Sequence, residues 1–288
     1  MERQRIEILE EKRRRDEESD SLHLSELRIL LLGNRKAGKS SSGNTILGRE
    51  EFDTVGRTAQ CVKRQGKVAG RQVTVVEAPG WWKNYQLEET PELTKNEIEL
   101  SVSLCPPGPH ALLLVIRVHS SFVETYKRSL QKHLELLSER VWSHTIVLFT
   151  YGDWLGDTPI EQLIESEGES LQWLVEKCGN RYHVLNNKRE DHMQVTQLME
   201  KIKEMVAGNR GCHYKMERQR IEILEEKRRR DEENVKERMM KVKRQRESLR
   251  SRMGELRISY STTSLLLLVS NGLYISFLYT VTDILHSR

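Results

Sequence analysis

Leu27-Arg28-Ile29-Leu30-Leu31-Leu32-Gly33-Asn34-Arg35-Lys36-Ala37-Gly38-Lys39-Ser40 is the stretch that decides the fold. Its second half fits G-x-x-x-x-G-K-[ST], the phosphate-cradling loop. Its first half is a short apolar run of the kind that forms a buried strand, and Ser41 to Leu47 opens a helix. Strand, loop and helix in that order are the context in which such a motif acts. The glycines let backbone N–H groups turn inward on phosphate oxygens, and the helix N-terminus adds its positive dipole. Gly33, Asn34, Arg35, Lys36, Ala37, Gly38, Lys39, Ser40 and Ser41 are therefore the expected phosphate contacts, with the Lys39 ammonium on the β and γ phosphates. The Ser40 hydroxyl is the expected Mg²⁺ ligand.

Outward from the loop, apolar runs alternate with helical patterns. Lys67 to Val76 reads as a hairpin turning at Gly70-Arg71, and Glu77-Ala78-Pro79-Gly80 ends its second strand. Residues 81–95 are polar and carry no strand signal, which predicts a mobile, switch-like region. Cys105 to Pro109 is a rigid turn, followed by the buried-strand run Ala111 to Ile116. Phe122, Tyr126, Leu130, Leu134 and Leu137 share one face of a helix predicted over 122–139. Thr145 to Phe149 is the next buried strand. Thr158-Pro159-Ile160-Glu161 predicts a helix start with Thr158 as N-cap, and Gly179-Asn180 closes that helical region. Tyr182 to Leu185 is a short strand ending in Asn186-Asn187. Val195, Leu198, Met199, Ile202, Met205 and Val206 form one face of a helix stopped at Gly208. The pattern predicts an α/β three-layer sandwich of the P-loop type with a mainly parallel sheet, and ligands bind beyond the carboxyl ends of such strands.

The 288 residues carry 47 basic and 43 acidic side chains, a near balance that argues against a dedicated nucleic-acid binder. Cys61, Cys105, Cys178 and Cys212 have neither C-x-x-C nor metal-ligand spacing, so they read as reduced thiols of a cytoplasmic protein. The charged N-terminus does not begin a secretory signal. His119, His133, His144 and His192 show no metal spacing either, and His110 reads as a packing residue.

Met1 to Glu18 (MERQRIEILEEKRRRDEE) recurs letter for letter at Met216 to Glu233. Two explanations stand: the first copy is the tail of a preceding tandem unit, or the duplication is exonic without a mechanical role. The expected organisation is a charged helix and linker over 1–24, a nucleotide-binding domain over 25–210, a charged helix with a weak coiled-coil pattern over 211–257, and an apolar tail over 258–288. Val235, Met239, Val242, Leu249, Met253 and Leu256 supply the coiled-coil spacing. No charge occurs from Ile258 to Thr282, a length sufficient for a bilayer, and the preceding Lys/Arg-rich run suits a cytosolic flank. A tail anchor in an intracellular membrane, a disordered or partner-bound tail, and an alternative terminal exon are the readings of it.

Leu104-Cys105-Pro106-Pro107-Gly108-Pro109-His110-Ala111-Leu112-Leu113-Leu114-Val115, together with the loop and its continuation Ser42-Gly43-Asn44-Thr45-Ile46-Leu47-Gly48, resembles the AIG-type GTPases of the immunity-associated (GIMAP) family over roughly Glu26 to Met205. The resemblance implies GTP/GDP and Mg²⁺ as cofactors and a homo-oligomer in the GTP state. It implies Thr54 near the nucleotide, Thr58 on Mg²⁺ and the γ-phosphate, Gly80 on the γ-phosphate, and Glu77 in the position of the Asp that holds a Mg²⁺-bound water. Ser40, Thr58 and Glu77 are thus the metal set. Thr150-Tyr151-Gly152-Asp153 replaces the usual Asn/Thr-Lys-x-Asp, so guanine falls to Asp153, flanked by Tyr151 and Gly152, with Asn187 near the base. The catalytic groups depart from the pattern. Trp81 stands where related enzymes carry the water-orienting glutamine, and the arginine that some relatives supply from a dimer partner falls on Leu100. The implied function is a GTP-dependent switch or scaffold with slow or partner-dependent hydrolysis. The alternatives are a non-hydrolysing, GTP-locked membrane scaffold and, further off, an ATP-binding P-loop protein.

Overall fold

The computed structural model describes residues 26–187 and 192–271, with side chains described as far as Arg252. The N-terminal copy of the repeat lies outside the described residues. Among the described residues six strands form one sheet: β1 (Glu26–Leu32), β2 (Val62–Val68), β3 (Arg71–Glu77), β4 (Ala111–Arg117), β5 (Thr145–Thr150) and β6 (Tyr182–Val184). Their order is β2-β3-β1-β4-β5-β6. Only the β2–β3 hairpin pairs antiparallel; the other neighbours pair parallel, with Ile29 against Val75 on one side and Ala111 on the other.

Period-two alternation sends successive residues of a strand to opposite faces, and β1 shows the consequence. Leu30 and Leu32 join a cluster with Trp81, Ile98, Tyr126 and Leu130, while Leu27, Ile29 and Leu31 join one with Ile46, Leu198 and Ile202. Helices α2 (Glu92–Leu100), α3 (Glu124–Glu135) and α5 (Glu169–Lys177) supply the first cluster, directly or through the loops beside them; α1 (Lys39–Leu47) and α6 (His192–Gly208) supply the second. A mainly parallel sheet covered on both faces results, as expected from the apolar runs.

Three local expectations change. Residues 81–95 carry no strand, as expected, but they are not loop throughout, because a helical turn forms at Leu87–Glu89 and α2 starts at Glu92. Its signal was hidden because it buries polar groups: Thr94, Asn96, Glu97 and Glu99 are all inside. Glu97 accepts the Cys61 N–H at 2.8 Å. Thr158 does not cap the next helix: α4 (Ile160–Ser166) begins after Pro159, whose extended ψ of 145° leaves Thr158 one residue too far back, its N–H already bonded to Leu155 O. The helical region ahead of Gly179 is broken at Gly168, whose φ of 87° separates α4 from α5.

The described chain divides into a compact unit ending at Glu226 and a second beginning at Lys227. The last helix, α7, runs Arg218–Asn271. Val235, Met239, Val242 and Leu249 along it are exposed. Among the described residues no helix is long and apolar enough to cross a membrane; residues 272–282 of the uncharged stretch lie outside them.

Candidate functional site

The site forms where the carboxyl ends of β1 and β3 to β5 meet the start of α1. Chain reversal after β1 requires glycine at Gly33: its φ is 143°, and a Cβ there would lie 2.5 Å from Val115 O. Gly38 repeats the requirement with φ 99°, in the left-handed region where side chains are disfavoured. The loop is braced from β5, since Thr150 Oγ1 donates to Ala37 O at 2.7 Å. It is tied to the segment after β3 by Arg35 N donating to Trp81 O at 2.7 Å.

Lys39 reaches back inside this loop. Its Nζ donates to Gly33 O and Asn34 O, each at 3.2 Å, and the residue is only 5% exposed. Burial pulls its pKa down to about 8, against the pull of Glu77 and with a further push from Arg35. Glu77 Oε1 is the focus of two hydroxyls: Ser40 Oγ donates at 2.9 Å and Thr58 Oγ1 at 3.1 Å. Burial raises the Glu77 pKa, with Lys39, Ser40 and Thr58 opposing. Ser40, Thr58 and Glu77 thus converge, and the extra methylene of Glu77 relative to Asp does not prevent it from reaching both hydroxyls. No group of three His, Cys, Asp or Glu side chains with metal-binding geometry occurs among the described residues. One carboxylate and two hydroxyls suit a hard cation that keeps waters and shares phosphate oxygens, which is how Mg²⁺ binds, and do not suit a cation caged by protein alone.

A cleft of about 350 Å³ collects these groups. Of the expected contacts, Arg35, Lys36, Ala37, Gly38, Lys39, Ser40, Ser41, Thr54, Thr58, Glu77, Gly80 and Tyr151 line it. The sequence reading missed Val55, Gly56, Arg57 and Arg117, which line it as well. Arg35, Lys36, Lys39, Arg57 and Arg117 line the cleft against the single lining carboxylate of Glu77, a balance that suits an anion. Arg117 carried a legible signal: it is the one charged residue of the strand Ala111–Arg117, at the carboxyl end where ligands bind. Its guanidinium lies 4.8 Å over the Tyr151 ring and Nη2 donates to the Tyr151 hydroxyl at 3.3 Å. His119 stacks on Trp154 at 4.3 Å and meets Tyr151 edge-on at 5.6 Å, which makes an aromatic wall where the usual lysine is replaced.

The other expected residues stand apart from the cleft. Gly33 is a structural glycine, and Asn34 Oδ1 accepts from the Tyr126 hydroxyl at 2.7 Å. Asp153 is exposed on the short turn Gly152–Leu155 just after Tyr151, and Gly152 N–H bonds Leu185 O. Asn187 Nδ2 donates to Thr45 Oγ1 at 3.2 Å, and its Oδ1 is buried with no hydrogen-bond partner among the described residues. Trp81 is 2% exposed and stacks on His133 at 4.5 Å, so this side chain orients no water in the cleft. Trp82 instead is exposed, with the Arg35 guanidinium 4.1 Å over its ring. Leu100 is 1% exposed and faces the core. His110 packs as expected, accepting the Arg28 N–H at 3.0 Å, with burial lowering its pKa to about 3. Among the described residues no disulfide joins Cys61, Cys105, Cys178 or Cys212.

The profile of the AIG1 family matches residues 27–234, from the first strand through the start of α7. The chain belongs to the AIG1 family. The human protein GTPase IMAP family member 8 is 31% identical over 212 residues, 69% of this chain and 30% of that protein. Immune-associated nucleotide-binding protein 9 of Arabidopsis thaliana is 32% identical over 198 residues, 65% of this chain and 57% of that protein. The chain thus spans under a third to just over half of the length of these AIG1 relatives. Among solved structures, Arabidopsis thaliana Toc33 in complex with GDP and Mg²⁺ superposes with a TM-score of 0.52 at 14% identity, covering 65% of this chain and 86% of that one. At that identity the likeness concerns the fold, a P-loop G domain.

Proposed function

We propose that this AIG1-family chain binds a guanine nucleotide with Mg²⁺ and works as a GTP-dependent switch or scaffold whose own hydrolysis is slow or depends on a partner. The observation that carries the reading is the convergence of Lys39, Ser40, Thr58 and Glu77 on one cation-rich cleft at the loop. The buried Lys39 ammonium and the inward N–H groups of the loop hold phosphate oxygens. Ser40, Thr58 and Glu77 hold the Mg²⁺ ion, which neutralises phosphate charge when bound. Gly80 admits the phosphate end because a side chain there would collide with Lys39 Nζ. Asp153 accepts from the guanine N–H groups and Asn187 lies on the base side, with Tyr151 packing in place of the usual lysine. The names of the relatives, a GTPase and a nucleotide-binding protein, support the same ligand class.

Slow turnover follows from two positions. Trp81 is locked in the core against His133, and Leu100 is buried, so neither supplies the group that orients water or stabilises charge in faster relatives. That same pair favours the second reading, a nucleotide-locked scaffold that never turns over. Exposed apolar positions on α7 support association of copies in the GTP state. The basic run and the uncharged stretch 258–282 support attachment of a cytoplasmic protein to an intracellular membrane.

Isothermal titration of GDP, GTPγS and ATP into the full chain, with and without Mg²⁺, tests the assignment. Guanine nucleotides bind and ATP does not, and Asp153→Ala removes the difference; equal affinities in the unaltered chain overturn the reading. Single-turnover hydrolysis across protein concentration separates the two versions, since only partner-dependent catalysis speeds up with concentration. Alkaline carbonate extraction tests the anchor, and release into the supernatant defeats it.

A further inference from the structure

The duplicated segment has a docking site on the described domain. In its C-terminal copy, Arg220 extends a fork onto Glu99 of α2: Nε donates to Oε2 at 2.6 Å and Nη2 to Oε1 at 2.8 Å. Glu99 is only 3% exposed, and the ion pair holds the Arg220 pKa above its usual value. One turn on, Leu224 is 2% exposed, and Met216, just ahead of the helix, packs on the core cluster that includes Tyr214. Arg220 and Leu224 at i, i+4 spacing lie on one face of α7, with Met216 leading into it. Ile221 beside them is half-buried, while most of the remaining face to Glu225 is exposed. Because the two copies are identical in sequence, Met1, Arg5, Ile6 and Leu9 correspond to Met216, Arg220, Ile221 and Leu224.

We propose that the surface centred on Glu99 is an exchange site: the Met1–Glu18 segment of a second copy of this chain docks there in place of Met216–Glu233, linking copies head to tail. The inference is independent of the nucleotide reading.

Reach favours a second copy as the source. The start of β1 and the segment just before the C-terminal repeat are pinned to one loop. Arg28 Nε donates to Gly108 O at 2.7 Å, and Tyr214 N donates to Pro109 O at 2.8 Å. If the chain's own first segment docked as a helix in the same direction, its Glu18 end would lie about 22 Å along the helix from its Arg3 end. The linker from Glu18 to Glu26 spans at most about 28 Å fully stretched. Docking in cis therefore demands a taut linker, and docking in trans does not. The exchange swaps identical contacts, so the balance is set by tethering. The C-terminal copy is held beside the site by the Tyr214 anchor, buried to 1% exposure. A tether of that kind gives an effective concentration on the order of millimolar, so the C-terminal copy wins in the unperturbed chain at micromolar concentration. A head-to-tail contact joins two different surfaces, so the assemblies are rings where the rotation closes and open chains where it does not.

The test uses the full chain in sedimentation velocity at matched micromolar concentration. Arg220→Glu with Leu224→Glu expels the C-terminal copy, and the expected result is self-association at least tenfold stronger than in the unaltered chain. Adding Arg5→Glu and Leu9→Glu to that variant returns it to the unaltered level. Adding Glu99→Arg instead also abolishes the association, and Arg5→Glu on top of Glu99→Arg restores it. The expelled-helix variants share the same exposed surface, so a folding defect moves them together. Equal association with and without Arg5→Glu and Leu9→Glu overturns the proposal, as does an expelled-helix variant that associates no more than the unaltered chain.

Discussion

Gly80→Ala probes the cleft with a single methyl group. The backbone at Gly80 is not left-handed, so alanine brings no conformational penalty and the whole effect comes from contact. The added Cβ would lie 2.7 Å from Lys39 Nζ, 2.8 Å from Arg35 N and 2.9 Å from Asn34 C. Two of those neighbours are backbone held by the 2.7 Å bond from Arg35 N to Trp81 O, so they do not swing aside. Overpacking of this kind costs about 1–3 kcal/mol. For a domain of this size that lowers the melting temperature by about 3–10 °C. Displacing the Lys39 ammonium also weakens its charge-assisted bonds to phosphate, worth about 1.5–3 kcal/mol, or roughly 10- to 150-fold in nucleotide affinity. Thermal melting of the ligand-free chain and fluorescent GDP titration read the two effects separately. Gly208→Ala is the control of opposite sign. At the end of α6 a Cβ meets nothing within 4 Å, so a gain of about 0.5–1 kcal/mol is expected from the unfolded state alone. If Gly80→Ala melts and binds like the unaltered chain, the close approach of this segment to the loop is wrong, and with it the assignment of Gly80 to the phosphate end.

Lys39 predicts a pH signature: with its pKa near 8 in the free chain and raised by a bound phosphate, nucleotide affinity falls by up to about tenfold per pH unit above 8, with proton uptake in calorimetry. Since that folded pKa lies below the ordinary 10.5, the ligand-free chain gains stability as pH rises from about 8 to 10.5; a flat profile counts against the buried ammonium. His133 of α3, buried and stacked on Trp81, has its pKa lowered to about 4 by burial. The neutral ring is the stable form, so its contribution is complete above pH 6.5 and about 2 kcal/mol is lost by pH 5. Urea unfolding of His133→Phe, which keeps a ring on Trp81, shows a flatter acid limb if this is right. Glu77→Gln lowers Mg²⁺-dependent nucleotide affinity at least tenfold while leaving Mg²⁺-free affinity near its original value, as read by titration with and without EDTA; equal losses in both would remove Glu77 from the metal set.

Much of this was written in the local sequence because its physics is local. Gly33 and Gly38 mark a reversal only glycine tolerates, Lys39 and Ser40 follow at fixed spacing, and the apolar runs at Leu27, Ala111 and Thr145 declare buried parallel strands. Those features determined a P-loop sheet and the end of it where ligands bind, while the family was carried by the resemblance of Leu104 to Val115 and of the loop's continuation to Gly48. What the chain order did not reveal depends on partners far apart in sequence. The α2 helix looked like polar loop because its buried Glu97 and Glu99 are matched by Cys61 and Arg220, 36 and 121 residues away. Arg117 joined the cleft only when β4 was laid beside β5 and brought it over Tyr151. Trp81 and Trp82 are alike in sequence, yet one lies in the core against His133 and the other on the surface under Arg35. Burial of a polar or aromatic side chain is decided by which distant group is there to meet it, and only the tertiary structure brings that group into place.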